Sequence, residues 1–261
     1  MIDFHSHILP NVDDGSKSME ETINLIKEAK EVGFKSIIST SHYIEGYYEV
    51  PNEERKEIIE KISKKLKEEN CNVDIYLGNE NYLSDNLVQL IKENKVATVG
   101  SSNYILFEMP MNVKPMNLYN VIYDMMQNNL KPILAHPERY SFVQDEPNLV
   151  YDLIEKGVLM QSNYASIVGY YGKRAEVIVK KLLENNMVHF LGSDVHKQNT
   201  IYPRIPEILS KISKITGQDK LKELTTINPE LALQDKNISV AEPVEIKLSL
   251  KEKIIMKSRN K

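Results

Sequence analysis

The chain has one cysteine, Cys71, among 261 residues, so no internal disulfide can form and a disulfide-stapled fold is excluded. No apolar run approaches the roughly 20 residues that a membrane-spanning helix needs, so no stable membrane insertion is expected. The opening residues Met1-Ile2-Asp3-Phe4-His5 supply neither a basic start nor an apolar leader, and no signal peptide is expected. Positive charge is not in excess. The formal net charge is -4, which argues against a protein that works by neutralising nucleic-acid phosphates. Internal repeats, low-complexity segments and Gly/Ser linkers are all missing. With 41% hydrophobic and 27% charged residues, we expect a globular, cytoplasmic protein.

What the chain does have is alternation. Short apolar runs at Ile2–His7, Ser36–His42, Val73–Glu80, Tyr104–Glu108, Pro132–His136, Val158–Ser162 and Val188–Asp194 are separated by helical patterns. Such repeated βα units predict an α/β fold with a parallel sheet. Ser18 and Glu21 read as a capping box for a helix that Gly33 ends. Glu53–Asn70 and Arg174–Asn185 each carry one apolar face and one charged face, which a solvated outer surface explains. The alternation stops after Asn228-Pro229-Glu230. We therefore divide the chain into a barrel, residues 1–235, and a C-terminal extension, residues 236–261, that packs on the barrel, hangs free or weakly touches a membrane or partner.

Chemistry-bearing residues fall at the ends of these runs. His5 and His7 are two apart on one strand and share a face, which is expected to be the barrel interior. His42, Glu80, Glu108 and His136 end the next four runs, and Asp194 and His196 end the last. Asp13 and Asp14 follow the first. In a βα barrel the C-terminal strand ends form one rim, where active sites are built. Five of the six histidines sit there. His189, an odd number of residues before Asp194, is expected to face away and to be structural. Five imidazoles and at least four carboxylates exceed the ligand set of one catalytic zinc, which implies two or three ions. The mixed donors suit Mn, Fe or Zn.

The segments His5-Ser-His7, Asp13-Asp14-Gly15, Thr40-Ser-His42, Glu80, Glu108, His136-Pro-Glu-Arg139 and Ser193-Asp-Val-His196 resemble the polymerase and histidinol phosphatase (PHP) superfamily. Within it they look like the manganese-dependent protein tyrosine phosphatases of bacterial capsule and exopolysaccharide operons. The resemblance implies a distorted seven-stranded (βα)7 TIM-like barrel. It implies a trinuclear Mn2+ site in which His5, His7, Glu80 and Asp194 hold one ion. Glu80, Glu108 and His136 would hold the second, and His42, His196 and Asp14, with Asp13 the alternative, the third. It assigns Arg139 and Arg204 to the phosphate. His42 or His196 would carry a proton to the leaving group only if not fully occupied by metal. The implied substrate is the phosphotyrosine tail of a membrane-associated bacterial tyrosine kinase.

Other readings are open to test. A cysteine phosphatase needs Cys-x5-Arg, and the residue six after Cys71 is Leu77, so that route is excluded. A PHP phosphoesterase acting on histidinol phosphate or another small phosphate would keep the same metal site. A metal-dependent amidohydrolase commonly bridges its ions with a carboxylated Lys, whereas Glu80 stands here. A non-catalytic kinase-binding protein would have no use for a complete buried ligand set. Tyr43, Tyr47, Tyr48, Tyr170 and Tyr171 either line the entrance or pack the rim.

Overall fold

The computed structural model describes residues 1–258. Its strands are β1 (Ile2–Ser6), β2 (Ser36–Ser39), β3 (His42–Tyr43), β4 (Asp74–Leu77), β5 (Glu80–Tyr82), β6 (Tyr104–Glu108), β7 (Lys131–Ala135), β8 (Leu159–Asn163) and β9 (Phe190–Gly192). They form two parallel ladders, β1-β2-β4 and β3-β5-β6-β7-β8-β9. The first ladder is tied to the end of the second. His7 donates its backbone N–H to Val195 O at 3.0 Å, and Asp194 donates to His5 O at 2.7 Å. The result is an α/β fold with a curled parallel sheet.

Two of the seven expected strands are each broken, which corrects the sequence reading. The run over 36–42 divides into β2 and β3, and the run over 73–80 into β4 and β5. A buried side chain takes over the hydrogen bonding at the second break. Arg55, 1% exposed, donates Nη1 to Gly78 O at 2.8 Å and Nη2 to Asn79 Oδ1 at 2.6 Å, and also bonds Asn52. Asn79 in turn donates to Ser41 O at 2.8 Å, just before His42. Backbone groups released from the ladder are thus satisfied by side chains, as buried polar groups must be. Both breaks put a site residue, His42 or Glu80, at the start of a fresh strand, where the two pair directly.

β1 carries the other irregularity. Ile2, Phe4, Ile38, Leu106, Ile133, Leu159 and Phe190 form an apolar plug within the curl, with Phe4 stacked on Phe190 at 4.0 Å. On an unbroken strand, His5 and His7 would share a face with Asp3 and point away from that plug. The pairing with β2 slips instead: Asp3 is opposite Ile37, but Ser6 is opposite Ser39. One extra residue is accommodated in β1, a β-bulge. Asp3 therefore faces outward, where its carboxylate accepts from Ser193 N at 2.7 Å, Ser193 Oγ at 2.6 Å and Tyr202 Oη at 2.8 Å. His5 and His7 turn inward. The close approach leaves no room for a side chain on β9, because a Cβ on Gly192 would lie 2.4 Å from that of His5.

Helices clothe the sheet. Met19–Glu31 starts where Ser18 Oγ accepts from Glu21 N at 3.1 Å, but the Glu21 carboxylate reaches Lys17 N at 2.7 Å rather than Ser18 N, so the expected box is half formed. The expected amphipathic helices appear as Asn52–Glu68 and Lys173–Glu184. Residues 236–249 run without regular structure along the surface, held by Ile246 N to Asn148 Oδ1 at 2.7 Å, and lead into a short helix, Leu250–Lys257. Lys181 pairs with Glu252 of that helix at 3.1 Å. Among the described residues no helix is long and apolar enough to cross a membrane.

His189 packs on the structural side of β9. Its Nδ1 accepts from Met160 N at 3.0 Å, so the ring is held neutral. Burial, helped by Lys220, pushes its pKa down to about 3. The unfolded chain thus binds a proton that the folded chain refuses between about pH 6.5 and pH 3. Stability from this group is present above pH 6.5 and is lost as the pH falls through that window. In His189→Gln the pH dependence of unfolding free energy over this range should flatten by up to ~1.4 kcal/mol per pH unit, read from urea melts at a series of pH values. Arg55→Ala should lower stability by ~3 kcal/mol or more, because it strands several buried acceptors; the urea midpoint measures it.

Candidate metal centre

The structure brings together nearly every residue the sequence singled out. His5 and His7 come from β1, His42 from β3, Glu80 from β5 and Glu108 from β6. His136 follows β7 at φ +35°, and Asp194 follows β9 at φ +53°, both in left-handed conformations that cost other residues of order 1–3 kcal/mol each. Neither is a glycine, so the surrounding structure holds them there.

The ring orientations are set from behind. His5 Nδ1 lies 2.7 Å from Gln161 Oε1, and His7 Nδ1 lies 2.8 Å from Asp13 Oδ2. His196 Nδ1 lies 3.0 Å from Asp194 O. Each of these Nδ1 atoms donates to an oxygen, which leaves the Nε2 lone pair of all three rings directed into the site. Gln161 is in turn bonded to Asn163 at 3.0 Å, and Asn163 donates to Asp194 Oδ2 at 2.7 Å. Sequence reasoning missed Gln161, Asn163 and buried Glu138, which accepts from Asn163 N at 2.9 Å. The available signal was a polar run, Gln161-Ser-Asn163, inside an otherwise apolar strand.

Among the described residues, three groups of side chains can place ligand atoms within 4.8 Å of one another: His7, Asp14, His42 and His196; His5, His7 and Glu80; and His42, Glu80 and Glu108. Asp194 Oδ1 stands 3.4 Å from His7 Nε2 and 3.6 Å from His5 Nε2. His136 Nε2 stands 2.7 Å from Glu80 Oε1. Glu80 Oε2 is ringed by three imidazole nitrogens, His42 Nδ1 at 3.1 Å, His5 Nε2 at 3.2 Å and His7 Nε2 at 3.3 Å, yet it makes a hydrogen bond to none of them. His42 Nδ1 and His136 Nδ1 are likewise buried without a hydrogen-bond partner. Lone pairs that converge without pairing suit a shared cation, so the donor set fits divalent metal.

The two adjacent aspartates divide their roles. Asp13 is saturated: it accepts from His7 Nδ1, from His42 N at 2.9 Å and from Gly15 N at 2.9 Å. Asp14 is exposed, with Oδ1 at 3.4 Å from His196 Nε2 and 3.6 Å from His42 Nε2.

Charge in the cluster is mutually balanced. Burial alone would raise the Glu80 carboxyl, but His5, His42 and His136 hold it well below its ordinary range. Burial would lower His5, and Glu80 and Asp194 outweigh that and raise it. Burial would likewise raise Asp194; Arg139 foremost, with His5, His7 and His196, keeps it well down.

Arg139 leans over the site, with Nη1 at 2.6 Å from Asp194 Oδ2 and its guanidinium 4.5 Å from the Tyr171 ring centroid. Arg204 ends the single turn Tyr202–Arg204 and makes no ion pair or side-chain hydrogen bond with another described residue. Tyr48 stacks on His42 at 6.0 Å, Tyr43 is buried, and Tyr47 is exposed. Cys71 is buried as a free thiol in the apolar core.

The profile of the family described as capsular polysaccharide synthesis, CpsB/CapC, matches residues 1–234. The chain belongs to the CpsB/CapC family. It is 30% identical to the tyrosine-protein phosphatase YwqE of Bacillus subtilis over 247 residues, which cover 95% of this chain and 97% of that relative. A solved structure from work on YwqE and on CpsB of Streptococcus pneumoniae, described as metal-dependent tyrosine phosphatases, superposes with a TM-score of 0.89 at 30% identity. That match covers 95% of this chain and all of that one. A histidinol phosphate phosphatase from Lactococcus lactis, complexed with zinc, L-histidinol and phosphate, superposes with a TM-score of 0.55 at 16% identity. It covers 82% of this chain and 92% of that one, and shares the fold.

Glu80 touches more ligand groups than any other carboxylate here, so Glu80→Ala should lose more than one equivalent of metal by elemental analysis. Asp14→Asn should weaken one equivalent, whereas Asp13→Asn should act through the tilt of His7 and cost roughly 10–100-fold in metal affinity; metal titration of the two variants separates these outcomes.

Proposed function

We propose that this protein is a metal-dependent protein tyrosine phosphatase of capsule or exopolysaccharide synthesis. The observation that carries the reading is the convergence of five imidazoles with Glu80, Glu108, Asp14 and Asp194 beneath a free-handed Arg139, in a chain of this family. The curled sheet is read as a distorted seven-position barrel over residues 1–235. His5, His7, Asp14, His42, Glu80, Glu108, His136, Asp194 and His196 would hold two or three ions. Mn2+ is the proposed occupant, and Fe or Zn also suits these donors. When bound, the ions supply Lewis acidity to the phosphoryl oxygens and to water.

The protein's own residues do the rest. Asp194 and the Tyr171 ring fix the Arg139 guanidinium, which commits one N–H to Asp194 and keeps other donors for phosphoryl oxygens. Arg204, held by no described carboxylate, is the proposed second arginine on the phosphate. Water adds to phosphorus in line with the departing phenolate oxygen, and His196 or His42 returns a proton to that oxygen only where that imidazole is not fully occupied by an ion. His196 is the better placed, since it lines the cavity beside Arg139. No covalent phosphoenzyme forms. The substrate is the phosphotyrosine tail of a membrane-associated tyrosine kinase, met from the cytoplasm, with no nucleic acid involved.

The deciding experiment is hydrolysis of a phosphotyrosyl peptide by purified protein with Mn2+ and after chelation, alongside a phosphoseryl peptide and histidinol phosphate. Metal-dependent, phosphotyrosine-selective turnover is expected; turnover of histidinol phosphate alone would replace the substrate and keep the site. Arg139→Ala should lower kcat/KM by about 100-fold while retaining its metal, and unchanged turnover would remove Arg139 from the phosphate.

A further inference from the structure

Beside the ligand cluster lies a cavity of about 240 Å³, lined by Arg139, Tyr170, Tyr171, His196, Lys197 and Ile201, with Asp194 at its base. We propose that this cavity seats the aromatic ring of the substrate, and that Tyr170, Tyr171 and Ile201 set a preference for aryl over alkyl phosphates. The proposal rests on the phosphatase reading and names the substrate class of that same site.

Size, wall and charge all point the same way. A cavity of about 150 Å³ suffices for benzene, so this one has space for a phenyl ring and part of its phosphate. Tyr170 and Tyr171 meet edge to face at 5.0 Å, and Tyr170 is half exposed, so its ring is open to a third aromatic partner. Ile201, 2% exposed, closes the apolar side. Arg139 sits at the junction of cavity and ligands, steered by Tyr171 and Asp194. Lys197 is exposed at the mouth and makes no ion pair with a described carboxylate, which gives the approach a second positive charge for a phosphate dianion.

The alternative seat is less suitable. Tyr43 also lines a cavity, of about 330 Å³, but there Glu45 and Glu49 outnumber one cation, Lys95, which is already paired with Glu93, so the wall would repel the dianion. Tyr48 is already stacked on His42. A phosphate placed between Arg139 and the metal ligands thus puts a phenyl ring, but not a short alkyl chain, against Tyr170.

Tyr170→Ala is the informative variant, since its half-exposed ring can be removed without opening the core. In metal-loaded, full-length protein, KM for a phosphotyrosyl peptide should rise roughly three- to ten-fold with kcat nearly unchanged. A phosphoseryl peptide should respond little, so the aryl-to-alkyl ratio falls, and Tyr170→Phe should restore it. Lys197→Met should raise KM for both peptides alike. An unchanged aryl-to-alkyl ratio in Tyr170→Ala would overturn the proposal while leaving the phosphatase reading intact. If the wild type hydrolyses neither peptide, the phosphatase reading fails, and calorimetry with phenylphosphonate and methylphosphonate decides the cavity. A phenyl preference that Tyr170→Ala abolishes supports the seat, and equal binding of the two refutes it.

Discussion

The extra residue in β1 sets the phase of the whole site. Without it, Ile2 and Phe4 would still fill the plug, but His5 and His7 would point into the layer between sheet and helices. With it, Asp3 takes that outer position and the histidines face Glu80 and Asp194. The bulge has structural conditions. Gly192 must lack a side chain where His5 crosses β9, and Gly15 must lack one beneath His7, where a Cβ would lie 2.1 Å from the His7 carbonyl oxygen. Asp3, buried and raised above its ordinary pKa chiefly by that burial, anchors the outer side through Ser193 and Tyr202. The loop that carries Asp194 is therefore positioned by the residue that the bulge turned outward.

Behind the convergent imidazoles and carboxylates stands a shell of partners that each fix one angle. Gln161 and Asp13 choose which nitrogen of His5 and His7 faces inward, Asn163 and Arg139 share Asp194, and the Asp194 carbonyl orients His196. Arg55 acts at longer range, holding the two strand breaks in the geometry that brings His42 and Glu80 side by side. It is a buried cation whose hydrogen bonds go to amide and carbonyl oxygens. Burial pulls its pKa down to about 10, yet it stays charged at neutral pH.

Much of this was legible in the residue order, because strand ends and titratable groups coincide at His42, Glu80, Glu108, His136 and Asp194. Simple alternation put His5 and His7 on one face and took that face to be the interior, but it could not show the inserted residue that turns them there, which leaves no mark in a run of five strand residues. Hydrophobic pattern also could not reveal the two strand breaks, since Thr40-Ser41 and Gly78-Asn79 read as ordinary strand interior until a distant Arg55 is seen to bond Gly78 and Asn79, and Asn79 to bond Ser41. The choice between Asp13 and Asp14 was open for a similar reason: neighbouring identical residues differ only in which hydrogen bonds surround them, and those partners come from His7, Gly15 and His42 in three dimensions. Arg139 was named from a resemblance; its cushion, Tyr171, comes from another loop.

The curl also closes the beginning of the chain onto its far end. Asp3 bonds Ser193 across 190 positions of sequence. At ribosomal rates of roughly 5–20 residues per second, the first two histidines wait about ten seconds or more for the loop that completes their surroundings. During that interval the nascent chain holds imidazoles and apolar plug residues with no β9 to cover them. The order of synthesis thus separates the making of the first imidazoles from the assembly of their surroundings, and a chain that ends before Asp194 lacks both the bond that closes the curl and the carboxylate beside His7.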